Sequence, residues 1–155
     1  MGLISEFLFG RKIKIQDHKI GELTTRIKGD NPSKNYTWTG EHQLAGQGKP
    51  TVFILEGNNA GPYGDQLNGV HRIIDTLDQI IACVDKELKG QLNIKQRFKD
   101  DWTKDFYLAA ITPYNPNVKG GGKQFEINFE PIKENDTDYI GLLWNNDNLT
   151  EIEAK

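Results

Sequence analysis

Acidic side chains are the groups in this sequence that could do chemistry, and the first cluster of them surrounds a tryptophan. Asp100, Asp101 and Asp105 lie within a few residues of Trp102. Paired carboxylates act as acid and base, or as acid and nucleophile, in glycoside hydrolysis, and carboxylate oxygens also bind hard cations such as Ca²⁺. The cluster predicts, as one alternative, a carboxylate-based enzyme or a carbohydrate-binding protein around Trp102.

A second acidic cluster belongs to a charge gradient along the chain. Residues 1–50 contain eight Lys and Arg against five Asp and Glu, whereas residues 124–155 contain two against eight. An acidic surface speeds the docking of a basic protein partner and disfavours nucleic acid, whose phosphates need clustered positive charge. We therefore predict a partner-binding surface near the C-terminus. Its candidate residues are Tyr114, Glu126, Glu130, Glu134, Asp136 and Asp138.

The residue types of other catalytic chemistries are too scattered to predict a site. Ser5 and Ser33 lack a strand-to-helix elbow and a neighbouring histidine, and the position of Cys83 within a helical pattern predicts a buried structural thiol. No HxxxH, HxH or CxxC spacing is present. The histidines are His18, His42 and His71. We expect His71 to be a boundary histidine with a local hydrogen bond, and we expect no catalytic residues, metal ligands or cofactor.

One long amphipathic helix is predicted at the centre of the chain. In the segment Asp65–Leu88, apolar side chains recur at alternating spacings of three and four residues, which is the period of an α-helix with one buried face. The apolar stripe consists of Leu67, Val70, Ile74, Leu77, Ile81, Val84 and Leu88, and it is widened by Ile73 and Ile80. Because the segments around it are β-prone, we expect this helix to cover a sheet and close the core.

Segments on both sides of the helix have the composition or the alternation of β-strands. They are residues 12–15, 20–28, 36–44, 50–56, 106–111, 123–130, 139–144 and 149–153. Short turns between them, of which Asn145–Asn148 is a strong hairpin signal, favour antiparallel pairing. The prediction is a single α+β domain over residues 1–155, in which an antiparallel sheet of about eight strands packs against one long helix, with four strands before it and four after it.

Cysteine content and hydropathy indicate the compartment. Cys83 is the single cysteine, so an intramolecular disulfide is excluded and a reducing environment is expected. No apolar run approaches the ~20 residues that a membrane-spanning helix needs. We expect a cytoplasmic protein with no membrane partner.

Motifs between Ile20 and Leu88 resemble those of a group of small uncharacterised bacterial proteins. They are the strand IGELTTRI, the element Trp38-Thr39-Gly40, the strand TVFILEG, the GP-containing loop that follows it and the helix signature QLNGVHRIIDTLDQII. Some members of that group occur as immunity proteins in polymorphic toxin systems. The resemblance implies a fold of this kind and permits an immunity role, with a basic toxin domain as the partner.

Two classes of function therefore stay open. The first is a non-catalytic protein-interaction module that neutralises a cognate bacterial toxin through its acidic C-terminal face. The second is the carboxylate-based enzyme or carbohydrate-binding protein around Trp102. A cleft at Trp102 and a raised pKa of Asp101 or Asp105 would favour the second class.

Overall fold

An eight-stranded sheet and four helices form the protein in a computed structural model, which describes residues 2–114 and 123–155. The strands are β1 (Arg11–Asp17), β2 (Gly21–Ile27), β3 (Tyr36–His42), β4 (Thr51–Gly57), β5 (Phe106–Pro113), β6 (Gln124–Pro131), β7 (Ile140–Asn145) and β8 (Asn148–Ala154). The helices are α1 (Gly2–Phe9), α2 (Gly64–Asp75), α3 (Leu77–Gly90) and α4 (Gln96–Lys99), followed by a 3₁₀ turn at Trp102–Lys104. The predicted α+β class and the number of strands are confirmed.

The strands lie side by side in the order in which they occur in the chain, but the sheet is mixed. Neighbouring strands pair antiparallel except β4 and β5, which run parallel, with Val52 opposite Ala110 and Phe53 opposite Ile111. The prediction of a wholly antiparallel sheet is therefore wrong at this pair. The helical connection between β4 and β5 carries the chain back to the end of the sheet where β4 began, and a parallel pair requires a crossover of this kind.

The predicted single helix is also wrong, because the segment forms two helices that meet at Thr76. Thr76 has φ −110° and ψ 18°, and its hydroxyl donates a 2.8 Å hydrogen bond to the carbonyl of Arg72. A threonine that bonds to the carbonyl four residues earlier bends a helix. The apolar stripe continues through both helices, which bury Val70, Ile73, Ile80, Val84 and Leu88.

The core lies between these helices and one face of the sheet. Alternation in the strands sets which face is covered: Phe125, Ile127 and Phe129 of β6 point into the core, while the residues between them do not. Trp38 and Phe53 continue the same buried layer across β3 and β4. Because side chains alternate across a strand, the residues between the core positions lie on the opposite face of the sheet.

No helix in the described part of the chain is long and apolar enough to cross a membrane.

Side chains complete the hydrogen bonding at the parallel pair. The β5 strand is irregular between Leu108 and Ala110, so the Leu108 backbone groups need other partners. The Thr51 hydroxyl donates to the Leu108 carbonyl at 2.7 Å, and the Leu108 N–H donates to Oε1 of Gln47 at 2.6 Å. Thr51 is fully buried, so water cannot replace its hydrogen bond to Leu108. The junction between the two halves of the sheet therefore depends on these polar contacts.

Candidate functional site

The face of the sheet opposite the helices, which we call the open face, carries the candidate site. Its side chains are the exposed or half-buried residues that alternate with the core positions. Strand register places Glu126 opposite Leu143, and Leu143 opposite Glu151. The next row runs from Asn128 through Gly141 to Glu153. Residues from three consecutive strands therefore form one continuous surface.

This surface is strongly acidic. Strands β6, β7 and β8 contain neither lysine nor arginine. Their four acidic residues are exposed and are Glu126, Glu130, Glu151 and Glu153. We call this part of the open face the acidic half. At the other edge of the same face, Lys14 of β1 pairs in register with Thr24, and Lys12 pairs with Arg26. The open face is therefore negative at β6–β8 and positive at β1–β2.

A shallow depression runs across the acidic half. It is lined by Tyr114, Glu126, Leu143, Glu151 and Glu153, among others. Tyr114 marks its end near β5, where its backbone N–H donates to the Gln124 carbonyl at 2.9 Å. Two of the predicted partner-binding residues, Tyr114 and Glu126, thus lie in one concavity. Residues 115–122, which follow Tyr114, lie outside the described residues.

Local contacts hold Glu153 in its charged form. It forms an ion pair with Lys155 and accepts a 2.6 Å hydrogen bond from the hydroxyl of Tyr139. The hydrogen bond from Lys155, followed by that from Tyr139, lowers the pKa of Glu153. Glu153 therefore stays ionised at the rim of the depression, with part of its charge offset by Lys155.

The other predicted residues surround a neighbouring depression. Glu130, Glu134, Asp136 and Asp138 line it. The two depressions share Asn128 and Tyr139, so all six predicted residues lie along one continuous surface. Glu130 and Glu134 are exposed there.

Asp136 and Asp138 differ from the glutamates because they bind basic residues of the same chain. Arg97 lies 2.7 Å from Asp136 and 3.0 Å from Asp138, and Lys95 lies 2.5 Å from Asp138. The hydrogen bond from Arg97 lowers the pKa of Asp136, with a further contribution from the backbone N–H of Asp138. The Arg97 guanidinium also lies 4.9 Å from the centre of the Phe106 ring. These two aspartates therefore anchor α4 to the loop before β7, and their charges are largely offset within the chain.

The cluster around Trp102 lacks the features of a carboxylate site. Trp102 is 2% exposed and packs edge-to-face on Phe129 at 5.1 Å, so its ring offers no surface on which a sugar could stack. Asp101 forms an exposed 2.9 Å ion pair with Lys104. The hydrogen bond from Lys104 lowers the pKa of Asp101, opposite to the raised pKa that a general acid needs. Asp101 therefore lacks the raised pKa, and Trp102 lacks the open aromatic face, that the alternative requires.

The structure differs from the predictions for Cys83 and His71. Cys83 is exposed, so the prediction of a buried thiol is wrong; the residues that α3 buries are Ile80, Val84 and Leu88. His71 forms a hydrogen bond, with Nε2 2.9 Å from Oδ1 of Asp17, but this partner is distant in the chain and not the local one predicted. His18 lies beside this pair, its ring centre 5.0 Å from that of His71. Because Asp17 and His71 are 54 residues apart, local sequence spacing gave no signal of this group.

Comparison with known proteins yields no match to a protein-family model, to a curated protein or to a solved structure. The geometry of the site therefore carries the functional argument. The acidic half combines four exposed glutamates with a tyrosine at one end and a leucine at its centre, and Lys49 and Lys133 line the neighbouring depression.

Proposed function

We propose that this protein is a non-catalytic protein-interaction module that binds a basic protein partner through the acidic half of its open face. The observation that carries the proposal is the placement of Glu126, Glu130, Glu151 and Glu153 on three adjacent strands that contain no lysine or arginine. Clustered charges of one sign attract an oppositely charged partner and orient it before contact.

The shape of the surface supports the same proposal. Leu143 lies between Glu126 and Glu151 in the register, so a small apolar centre is flanked by charge. Interfaces commonly combine an apolar centre with a polar rim. Tyr114 at the end of the depression supplies an aromatic group of the kind enriched among binding hot spots.

The resemblance to bacterial proteins that include immunity proteins favours one kind of partner, a basic toxin domain. In this proposal the protein neutralises its cognate toxin by covering a positively charged surface, and no bond is made or broken. We place this activity in the cytoplasm, because the single cysteine, Cys83, keeps an exposed thiol that suits a reducing compartment.

A matched pair of charge reversals tests the proposal. Glu126→Lys with Glu151→Lys reverses two charges in the acidic half, and Glu22→Lys with Glu41→Lys makes the same net change near the basic edge of the same face. Each variant and the unchanged protein would be immobilised and exposed to extract of the source cell. The captured protein would then be purified and its affinity measured at several salt concentrations.

The proposal predicts a basic partner that binds the unchanged protein and the Glu22/Glu41 variant with similar affinity. Each reversal in the Glu126/Glu151 variant replaces an attraction between surface charges that is worth about 1 kcal/mol in high dielectric. The two reversals together should weaken binding of the partner by about tenfold or more. The affinity should also fall as salt rises. If the two variants bind equally well, or if affinity is insensitive to salt, the acidic half is not the binding surface.

A further inference from the structure

The turn between β1 and β2 and helix α2 bring together three side chains with metal-binding atoms. Asp17 ends β1, His18 follows it in the turn, and His71 lies on α2. One ligand atom from each of the three residues lies within 4.8 Å of the others. This group is on the helix-covered side of the sheet, so it is independent of the acidic half of the open face.

The carboxylate of Asp17 is rigidly oriented. Its Oδ1 accepts hydrogen bonds from the backbone N–H groups of Lys19 at 2.8 Å and Ile20 at 3.0 Å. The side chain is 7% exposed. Backbone donors that fix a ligating carboxylate in this way are typical of the outer shell of metal sites. Oδ2 is not engaged by those N–H groups and faces the two imidazoles.

The distances around Oδ2 fit a tetrahedral ion. Nε2 of His71 lies 3.0 Å from Oδ2, and Nδ1 of His18 lies 3.9 Å from the same oxygen. Two ligand atoms on a tetrahedral zinc, each about 2.1 Å from the metal, lie about 3.4 Å apart. Both nitrogen–oxygen distances are therefore within about half an ångström of the separation in a tetrahedral coordination shell. His71 is 16% exposed and His18 is 75% exposed, so such a shell opens to solvent on the His18 side.

The donor set selects the class of metal. Two imidazole nitrogens and one carboxylate oxygen suit Zn²⁺ and other borderline divalent ions such as Co²⁺, whereas Mg²⁺ and Ca²⁺ prefer oxygen ligands alone. The neighbouring cation, Lys19, is itself paired with Asp75 of α2, which moderates its repulsion of a bound ion. Three protein ligands leave one tetrahedral position for water or for a group from a partner.

We infer that Asp17, His18 and His71 form a binding site for Zn²⁺ or a similar divalent ion that ties the β1–β2 turn to α2. Bound metal adds a link between two elements that already meet through the Asp17–His71 hydrogen bond and the Lys19–Asp75 ion pair. Since the folded chain brings the ligands together, metal binding stabilises the folded protein.

The test uses the full chain carrying Cys83→Ser, which removes the exposed thiol as an alternative zinc ligand. After treatment with a chelator, Zn²⁺ and Mg²⁺ would be titrated calorimetrically, and Co²⁺ would be followed by its visible absorption. His18→Ala is the main variant, because His18 is largely exposed and its loss should leave the metal-free melting temperature unchanged. His42→Gln is the matched control, since it removes a histidine outside the group.

The expected result is binding of one Zn²⁺ per chain, no response to Mg²⁺, and a melting temperature that rises with Zn²⁺. His18→Ala should weaken Zn²⁺ binding at least tenfold, and His42→Gln should leave it unchanged. Asp17→Asn, checked first for folding by its metal-free melting temperature, should abolish the Co²⁺ spectrum. Zn²⁺ binding that survives His18→Ala, or that is absent from the Cys83→Ser protein, would overturn the inference.

Discussion

The buried hydroxyl of Thr51 tests whether polar contacts hold the two halves of the sheet together. Thr51→Val keeps the branched shape of the side chain but removes the donor that lies 2.7 Å from the Leu108 carbonyl. Because Thr51 is 0% exposed, no water replaces the lost donor, and the carbonyl stays unpaired. Leaving a buried acceptor unsatisfied costs about 1–3 kcal/mol.

The measurement is equilibrium unfolding in urea, supported by thermal melting. We expect the free energy of unfolding to fall by about 2 kcal/mol and the melting temperature to fall by about 4–8 °C for a chain of this size. Gln47→Leu, which removes the acceptor for the Leu108 N–H, should have a similar effect. The control is Thr39→Val, an exposed position on β3, where the same substitution should change stability by less than about 0.5 kcal/mol. Equal effects of Thr51→Val and Thr39→Val would refute the reasoning.

Two further predictions concern the helices and acid stability. Ile80→Ala should destabilise the protein by about 2–5 kcal/mol in urea unfolding, because Ile80 is 0% exposed. Cys83→Ser, on the exposed side of α3, should be close to neutral. Comparable losses of stability in the two variants would mean that α3 does not pack as described. The pKa of Asp136 is lowered by its hydrogen bond to Arg97, so the stability from this pair is present above the ordinary pKa of 3.8 and is lost as pH falls through the lower folded pKa. Arg97→Gln should therefore flatten the decline in stability below about pH 4, and an unchanged acid profile would argue against the pairing.

Strand positions followed from local chemistry, which is why the sequence predicted them well. The alternation of Phe125, Ile127 and Phe129 with polar residues defined β6 to within a residue of its observed bounds. The turn before β8 was equally clear, since Asn146 and Asp147 adopt φ values of 48° and 66°, a conformation that asparagine and aspartate tolerate. Signals of this kind depend on neighbours in the chain and need no tertiary information.

The features that the sequence did not reveal depend on distant contacts. The apolar stripe runs through Thr76 without interruption, so periodicity alone did not show that the helix divides there. Arg97 meets Asp136 and Asp138 across about forty residues, and this turned two predicted binding residues into intramolecular partners. Burial of Trp102 against Phe129 likewise depends on how α4 and the following turn cross the sheet.

The parallel pairing of β4 with β5 has a consequence for how the chain folds. Every other ladder among the described strands joins strands separated by at most ten residues in the chain, and such local pairings form quickly. Closing β4 onto β5 instead requires the three helices of the connection, α2, α3 and α4, to be accommodated. We therefore expect it to be the slow step that unites two independently collapsing meanders. If it forms after the transition state, Thr51→Val will accelerate unfolding and leave the folding rate nearly unchanged.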